Sequence, residues 1–198
     1  MADPGDDPGQ DTRRDRSAPH GAAAPSEWIA RFAGLVRPGG SVLDLAAGGG
    51  RHARYFLARG HPVLALDRDV SRLADLAATA AAEVIEADLE DGAPWPLGAR
   101  RFDAVVVVNY LHRPLLADLC AALAAGGVLL YETFALGNEA HGRPRNPDFL
   151  LRPGELLELA RGALHVVAYE CGVVERAGGP AVVQRICARR ADDRPARL

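Results

Sequence analysis

The sequence predicts an α/β protein: a seven-stranded, Rossmann-like, doubly wound sheet, mostly parallel with a terminal antiparallel strand. Three observations carry that reading. Short apolar runs alternate, over the first two thirds of the chain, with segments whose apolar residues recur every three or four positions, the pattern of strands joined by crossover helices. Val105 to Val108 are four consecutive valines, and an unbroken apolar run marks a strand buried on both faces, as in a parallel sheet. Near the end, two long runs (165–174 and 181–188) flank Gly178-Gly179-Pro180 with no helix between them, which reads as a hairpin.

The elements follow in order. Ser26-Glu27 opens a helix whose stripe is Trp28, Ile29, Phe32 and Leu35, closed by Pro38-Gly39-Gly40. Val42, Leu43 and Leu45 form the first strand, Gly48 to Gly50 break it, and Ala53, Phe56 and Leu57 follow at helical spacing, with His52 expected on the helix surface. His61, at a strand edge, leads into a second strand over 63–66 that ends at Asp67. Leu73, Leu76, Ala77 and Ala80 mark the next helix, and 83–87 a weaker strand ending at Asp88. A loop rich in Gly and Pro occupies 90–101. After the valine strand, Pro114 starts a helix with Leu116, Leu119, Cys120 and Leu123 on its buried face, ended by Gly126-Gly127 before a fifth strand over 128–131. Residues 135–152 are polar and long for a connection, the mark of a lid, and a short helix follows to Ala160.

With 198 residues, 48% of them hydrophobic, the chain can bury one sizeable core, so a single domain over 26–190 is expected, between disordered tails at 1–25 and 191–198. The first tail lacks the apolar stretch that secretion needs, and no run is long enough to span a membrane as a helix. Three separated cysteines argue against zinc and a disulfide framework and point to a reducing cytoplasm. A net charge of −3 without a long basic run argues against a general nucleic-acid binder. All 23 basic residues counted as Lys or Arg are arginine, which removes P-loop and Schiff-base lysine chemistry. The oligomeric state is left open.

Chemistry is concentrated where strands end. The glycines after the first strand let a ligand approach the backbone, and the N–H groups opening the next helix favour an anionic group, as a nucleotide-like cofactor provides. Asp44, inside an apolar strand, is costly to bury unless a ligand ammonium or backbone N–H groups compensate it. Asp67 and Asp88, each alone, could be a turn residue or a helix cap. Asn109 to Arg113 follow the valine strand, where ligands of open α/β sheets gather.

Asp44-Leu45-Ala46-Ala47-Gly48-Gly49-Gly50 resembles the first motif of class I S-adenosylmethionine-dependent methyltransferases, with Asp67, Asp88-Leu89, Phe102-Asp103 and Gly126-Gly127 as later signposts in order. The small tellurite-resistance type is similar in length and in Gly48-Gly49-Gly50-Arg51. One departure is Ala46, where the family usually has its first glycine. The resemblance implies S-adenosyl-L-methionine as cofactor, with Ala46, Gly48 and Gly50 around its methionine portion and Asp44 near its ammonium. It further implies Arg51 on its carboxylate, Asp67 on the ribose hydroxyls, Asp88 and Leu89 at the adenine, and Asn109 lining the reaction centre. His112 is the candidate base, with Tyr110 beside it; the bland alternative is that His112 caps a helix or bonds a lid carbonyl. Arg143 and Arg145, framed by prolines, either clamp an anionic small-molecule acceptor or belong to a solvated loop. Two rivals stay open: an NAD-binding oxidoreductase, since Gly48-x-Gly50-x-x-Ala53 also fits the dinucleotide fingerprint, and a non-catalytic binding protein of the same fold.

Overall fold

The computed structural model describes residues 24–176 and 178–192. The two expected tails therefore fall mostly outside the described residues, at 1–23 and 193–198. Seven strands form one sheet: β1 Val42–Leu45, β2 Val63–Asp67, β3 Ala82–Glu86, β4 Phe102–Val108, β5 Leu123–Phe134, β6 Leu164–Val174 and β7 Ala181–Arg190. Their spatial order is β3-β2-β1-β4-β5-β7-β6. Strands β1 to β5 pair in parallel, and β7 runs antiparallel between β5 and β6. The helices are α1 Glu27–Phe32, α2 Arg51–Leu57, α3 Ala74–Ala77, α4 Leu116–Ala121 and α5 Glu155–Ala160.

The central strands are apolar throughout because both faces are covered. One buried cluster gathers Leu43, Leu45, Val105, Val107, Leu129 and Tyr131; the other gathers Val42, Ala104, Val106 and Leu130 with Trp28, Ile29 and Phe56. Ser26 caps α1 by accepting the Trp28 N–H at 3.2 Å, and the Trp28 indole donates to the Ile186 carbonyl at 3.2 Å, which pins α1 onto the sheet. No helix among the described residues is long and apolar enough to cross a membrane.

Several expectations are corrected. The helix after β4 ends at Ala121 instead of at Gly126-Gly127, and the double glycine lies inside β5. Leu123 already pairs with Phe102, and the register then jumps so that Ala104 faces Val128. A Cβ on Gly127 would stand 2.9 Å from the carbonyl oxygens of Ala124 and Phe102, so this bulge needs glycine. Leu35 belongs to a 3-10 turn and is exposed, because the chain leaves the sheet there. Cys120 is half-buried beside the Leu159 carbonyl rather than in the core. His52 and His61 are both buried; the His61 ring bonds the Gly40 carbonyl at 2.9 Å.

Candidate active site

The order β3-β2-β1-β4 brings the carboxyl ends of four strands side by side, with Leu45 level with Leu66 on one side and Val107 on the other. The chain reverses its direction of travel across the sheet at β1, and the crevice of such a sheet opens at that point. Ala46 to Gly50, Asp67, Asp88-Leu89 and Asn109 to His112 all lie along this edge.

The loop after β1 is left-handed at three residues: Ala46 (φ 51), Gly48 (φ 58) and Gly50 (φ 72). Glycine takes this conformation freely, whereas the Ala46 Cβ strains it. The loop is clamped from two sides. Asp67 accepts the Gly48 N–H at 2.6 Å through one oxygen and the Asp69 N–H at 3.1 Å through the other. Arg54 donates to the Gly49 carbonyl, to the Arg72 carbonyl at 3.1 Å and to both Asp75 oxygens at 2.6 and 2.7 Å. Sequence reasoning missed Arg54; its only trace is an arginine one turn beyond the glycines.

Asp44 is fully buried and accepts the Ala53 N–H at 2.9 Å, so a backbone group of α2 supplies part of the compensation its position requires. His52 lies beside it, with Nδ1 3.9 Å from the carboxylate. Burial, aided by Arg51, lowers the His52 pKa to about 3, so the ring is neutral and the pair is not ionic. The ring's Nε2 accepts the Ser26 N–H at 3.2 Å, which puts the proton on Nδ1, facing Asp44. Ser26 continues the chain of contacts by donating its hydroxyl to Glu132 at 3.1 Å.

Asp88 and Leu89 line a cleft of about 90 Å³ with Trp95 and Leu115. Asp88 is exposed and accepts the Glu90 N–H at 2.9 Å. The Tyr110 hydroxyl is a buried oxygen with no hydrogen-bond partner among the described residues. Burial raises its pKa, and Glu90 and Asp88 raise it further, which leaves the phenol protonated at neutral pH. The Tyr110 phenol thus stands near the carboxylates of Glu90 and Asp88.

On the other side of β4, Asn109 is left-handed (φ 57), a conformation its side chain tolerates. Its Oδ1 accepts from Arg176 at 2.9 Å. The other Arg176 terminal nitrogen donates to Glu132, a buried carboxylate inside β5, at 2.8 Å. Burial lowers the Arg176 pKa, outweighing Glu132, while Arg185 pushes the same way. Arg176 lines a cleft of about 200 Å³ with Phe134, Asn138, His141, Arg143 and Gly179. Arg143 lines this cleft and Arg145 does not, and the second arginine there is Arg176. Nothing local marks Arg176 in the sequence, since it comes from the hairpin between β6 and β7. The His112 ring is half-buried, caps nothing and makes no hydrogen bond among the described residues. Its neighbour Arg113 is the residue that bonds the lid carbonyls.

Residues 42–127 match the family model described as a methyltransferase domain. That match spans the glycine loop, Asp67, Asp88 and the loop after β4, on a sheet closed by a reversed strand. Residues 42–127 are a methyltransferase domain of the class I S-adenosylmethionine-dependent type. No curated protein matches its sequence. Among solved structures, the methyltransferase is similar to the 1,6-didemethyltoxoflavin N1-methyltransferase of Burkholderia thailandensis, crystallised with 1,6-didemethyltoxoflavin and S-adenosylhomocysteine. Identity is 25%, with 83% of this chain and 76% of that one covered at a TM-score of 0.62. TehB of Haemophilus influenzae superposes at 0.66 with 18% identity, over 82% of this chain and 61% of TehB. A methyltransferase of Mesorhizobium loti superposes at 0.60 with 20% identity, over 81% and 98%. The oxidoreductase alternative finds no support in these likenesses.

Proposed function

We propose that residues 26–190 form a cytoplasmic enzyme domain that transfers the methyl group of S-adenosylmethionine to a small molecule carrying an anionic group. The cofactor supplies a methyl carbon on a sulfonium, a leaving group already activated. The site's residues fit it: the Asp67 carboxylate stands at the end of β2 against the glycine loop, and the buried Tyr110 hydroxyl, near Glu90 and Asp88, makes no hydrogen bond among the described residues. In this reading Ala46, Gly48 and Gly50 flank the methionine portion, Asp44 and Arg51 answer its ammonium and carboxylate, and Asp67 takes the ribose hydroxyls. Asp88, Leu89 and Tyr110 receive the adenine side, and Asn109 lines the reacting end. His112 accepts a proton from the acceptor where the nucleophile carries one. Holding the nucleophile against the methyl carbon supplies most of the acceleration. The free thiols of Cys120, Cys171 and Cys187 suit a reducing compartment.

One observation carries the anionic acceptor. Arg176 spends two of its five N–H donors, on Asn109 and Glu132, and its half-buried cation faces the cleft that Arg143 and His141 also line. An anion there would restore the solvation that burial removed, and Asn109 ties that seat to the methyl-transfer end. The 1,6-didemethyltoxoflavin bound to the Burkholderia enzyme supports a small-molecule acceptor in general. The test is a screen of free acids against their amides, followed by S-adenosylhomocysteine release. Acids should be preferred, and Arg143→Gln and Arg176→Gln should raise their KM about tenfold while Arg145→Gln leaves it unchanged. Equal use of acids and amides by the wild type would remove the anion seat.

A further inference from the structure

Arg113 makes more contacts to the lid than any role within its own short turn requires. Its Nε and Nη2 hold both oxygens of Glu155 at 2.7 and 3.0 Å. Nη1 donates to the Asp148 carbonyl at 2.7 Å, and Nη2 also to the Leu150 carbonyl at 2.8 Å. Glu155 opens α5 and accepts the Arg152 N–H at 2.8 Å, so one guanidinium gathers the end of the lid, the start of α5 and the loop after β4. Burial works against the Glu155 carboxylate, yet Arg113 and the Arg152 N–H hold it below its usual range, so the pair is ionic at neutral pH.

The rest of the lid is fastened elsewhere. Its neck closes through Leu136 and Leu151, and buried Asn138 bonds the Pro144 carbonyl and the Val182 N–H. Only Arg113 ties the turn at 147–150 to the loop that carries His112, as far as side-chain hydrogen bonds of the described residues go. On the other side of His112, the Tyr131 hydroxyl donates to the Tyr110 carbonyl at 2.9 Å. His112 is therefore slung between two tethers, the Arg113 side chain and the Tyr110 carbonyl, while its ring makes no hydrogen bond among the described residues, and its aim depends on both.

We propose that Arg113 is a positioning residue for methyl transfer: it makes the orientation of His112 conditional on a docked lid. This rests on the reading of His112 as a residue at the reacting end. The arginine fork is essential because one planar group must meet a carboxylate and two carbonyls together, which an ammonium on a lysine stem cannot do.

The test follows wild type, Arg113→Lys, Arg113→Ala and Glu155→Gln, each saturated with S-adenosylhomocysteine. Amide exchange at Phe149 and Leu150, both hydrogen-bonded within the turn, should quicken about tenfold or more in Arg113→Ala and less in Arg113→Lys. Exchange at Leu151 in the neck should hold. The His112 imidazole resonance, assigned by its loss in His112→Gln, should shift in the same order, while that of exposed His165 stays. S-adenosylhomocysteine affinity should remain within about twofold, and with an acid from the charge-paired screen kcat should fall without change in the KM for S-adenosylmethionine. Glu155→Gln guards against misfolding at position 113 and should reproduce the Arg113→Lys pattern. An unmoved His112 resonance in Arg113→Ala overturns the positioning role. Failure of the wild type to bind S-adenosylhomocysteine overturns the methyltransferase reading itself.

Discussion

His52 shows how far a single residue can depart from its local pattern. Two positions after the glycines, on a seven-residue helix, it looks like surface, yet it is 4% exposed and accepts the N–H of Ser26, the cap of α1. Its folded pKa of about 3 lies below the 6.5 of a free imidazole, so the unfolded chain binds the proton first. Stability from this group is thus complete above pH 6.5 and is lost progressively as pH falls toward 3. Between pH 6.5 and 5 the loss should be about 2 kcal/mol, in a window above the range where ordinary carboxylates titrate. Urea unfolding at pH 7 and pH 5 should show that loss in the wild type and a much smaller one in His52→Gln, whose amide can still accept from Ser26. An equal loss in both proteins would assign the effect elsewhere.

At the scale of elements, β5 carries the heaviest demand. It supplies apolar residues to both clusters and still places a charged Glu132 in its interior. Arg176 at 2.8 Å, Arg185 at 3.4 Å and Ser26 at 3.1 Å surround that carboxylate, joining the final hairpin, β7 and the start of α1. Arg185 keeps a second partner in Glu170 at 2.6 Å, whereas Arg176 has no other carboxylate in contact among the described residues. Removing the charge leaves Arg176 half-buried and under-compensated, so Glu132→Gln should destabilise the fold by about 3 kcal/mol. A lowered urea midpoint with an unchanged slope checks it. A loss confined to acceptor affinity would mean that Glu132 serves the cleft rather than the fold.

Over the whole molecule, four strand ends and the loops between them make one edge, and if the cofactor binds there as proposed its occupancy should be felt by the entire cooperative unit. At one hundred times its dissociation constant, S-adenosylhomocysteine should add about 2.7 kcal/mol to stability. For a domain of this size that is a rise of roughly 5–10 °C in Tm. NAD should produce none. Asp67→Ala should abolish most of the shift, since it removes both a ligand acceptor and the 2.6 Å brace on Gly48. A shift with NAD alone would overturn the cofactor reading in one melting experiment.

What the sequence by itself determined was everything that depends on neighbours along the chain. The alternation of runs, the glycine break after Asp44, the acidic residues at the ends of β2 and β3 and the helix-free hairpin sufficed for the fold class and for the strand-end edge proposed here as the cofactor seat. These are local because strand period, turn chemistry and crossover length are local. Tertiary structure alone decided which side chains meet across the sheet. Arg176 reaches Asn109 from 67 positions away, Arg113 reaches Glu155 from 42, and Ser26 reaches Glu132 from 106. Arginine on a polar stretch reads the same whether solvated or buried against a carboxylate, so no periodicity distinguishes Arg176 from Arg145. The same holds for His52 and for Gly127, whose places were set by what packs over them.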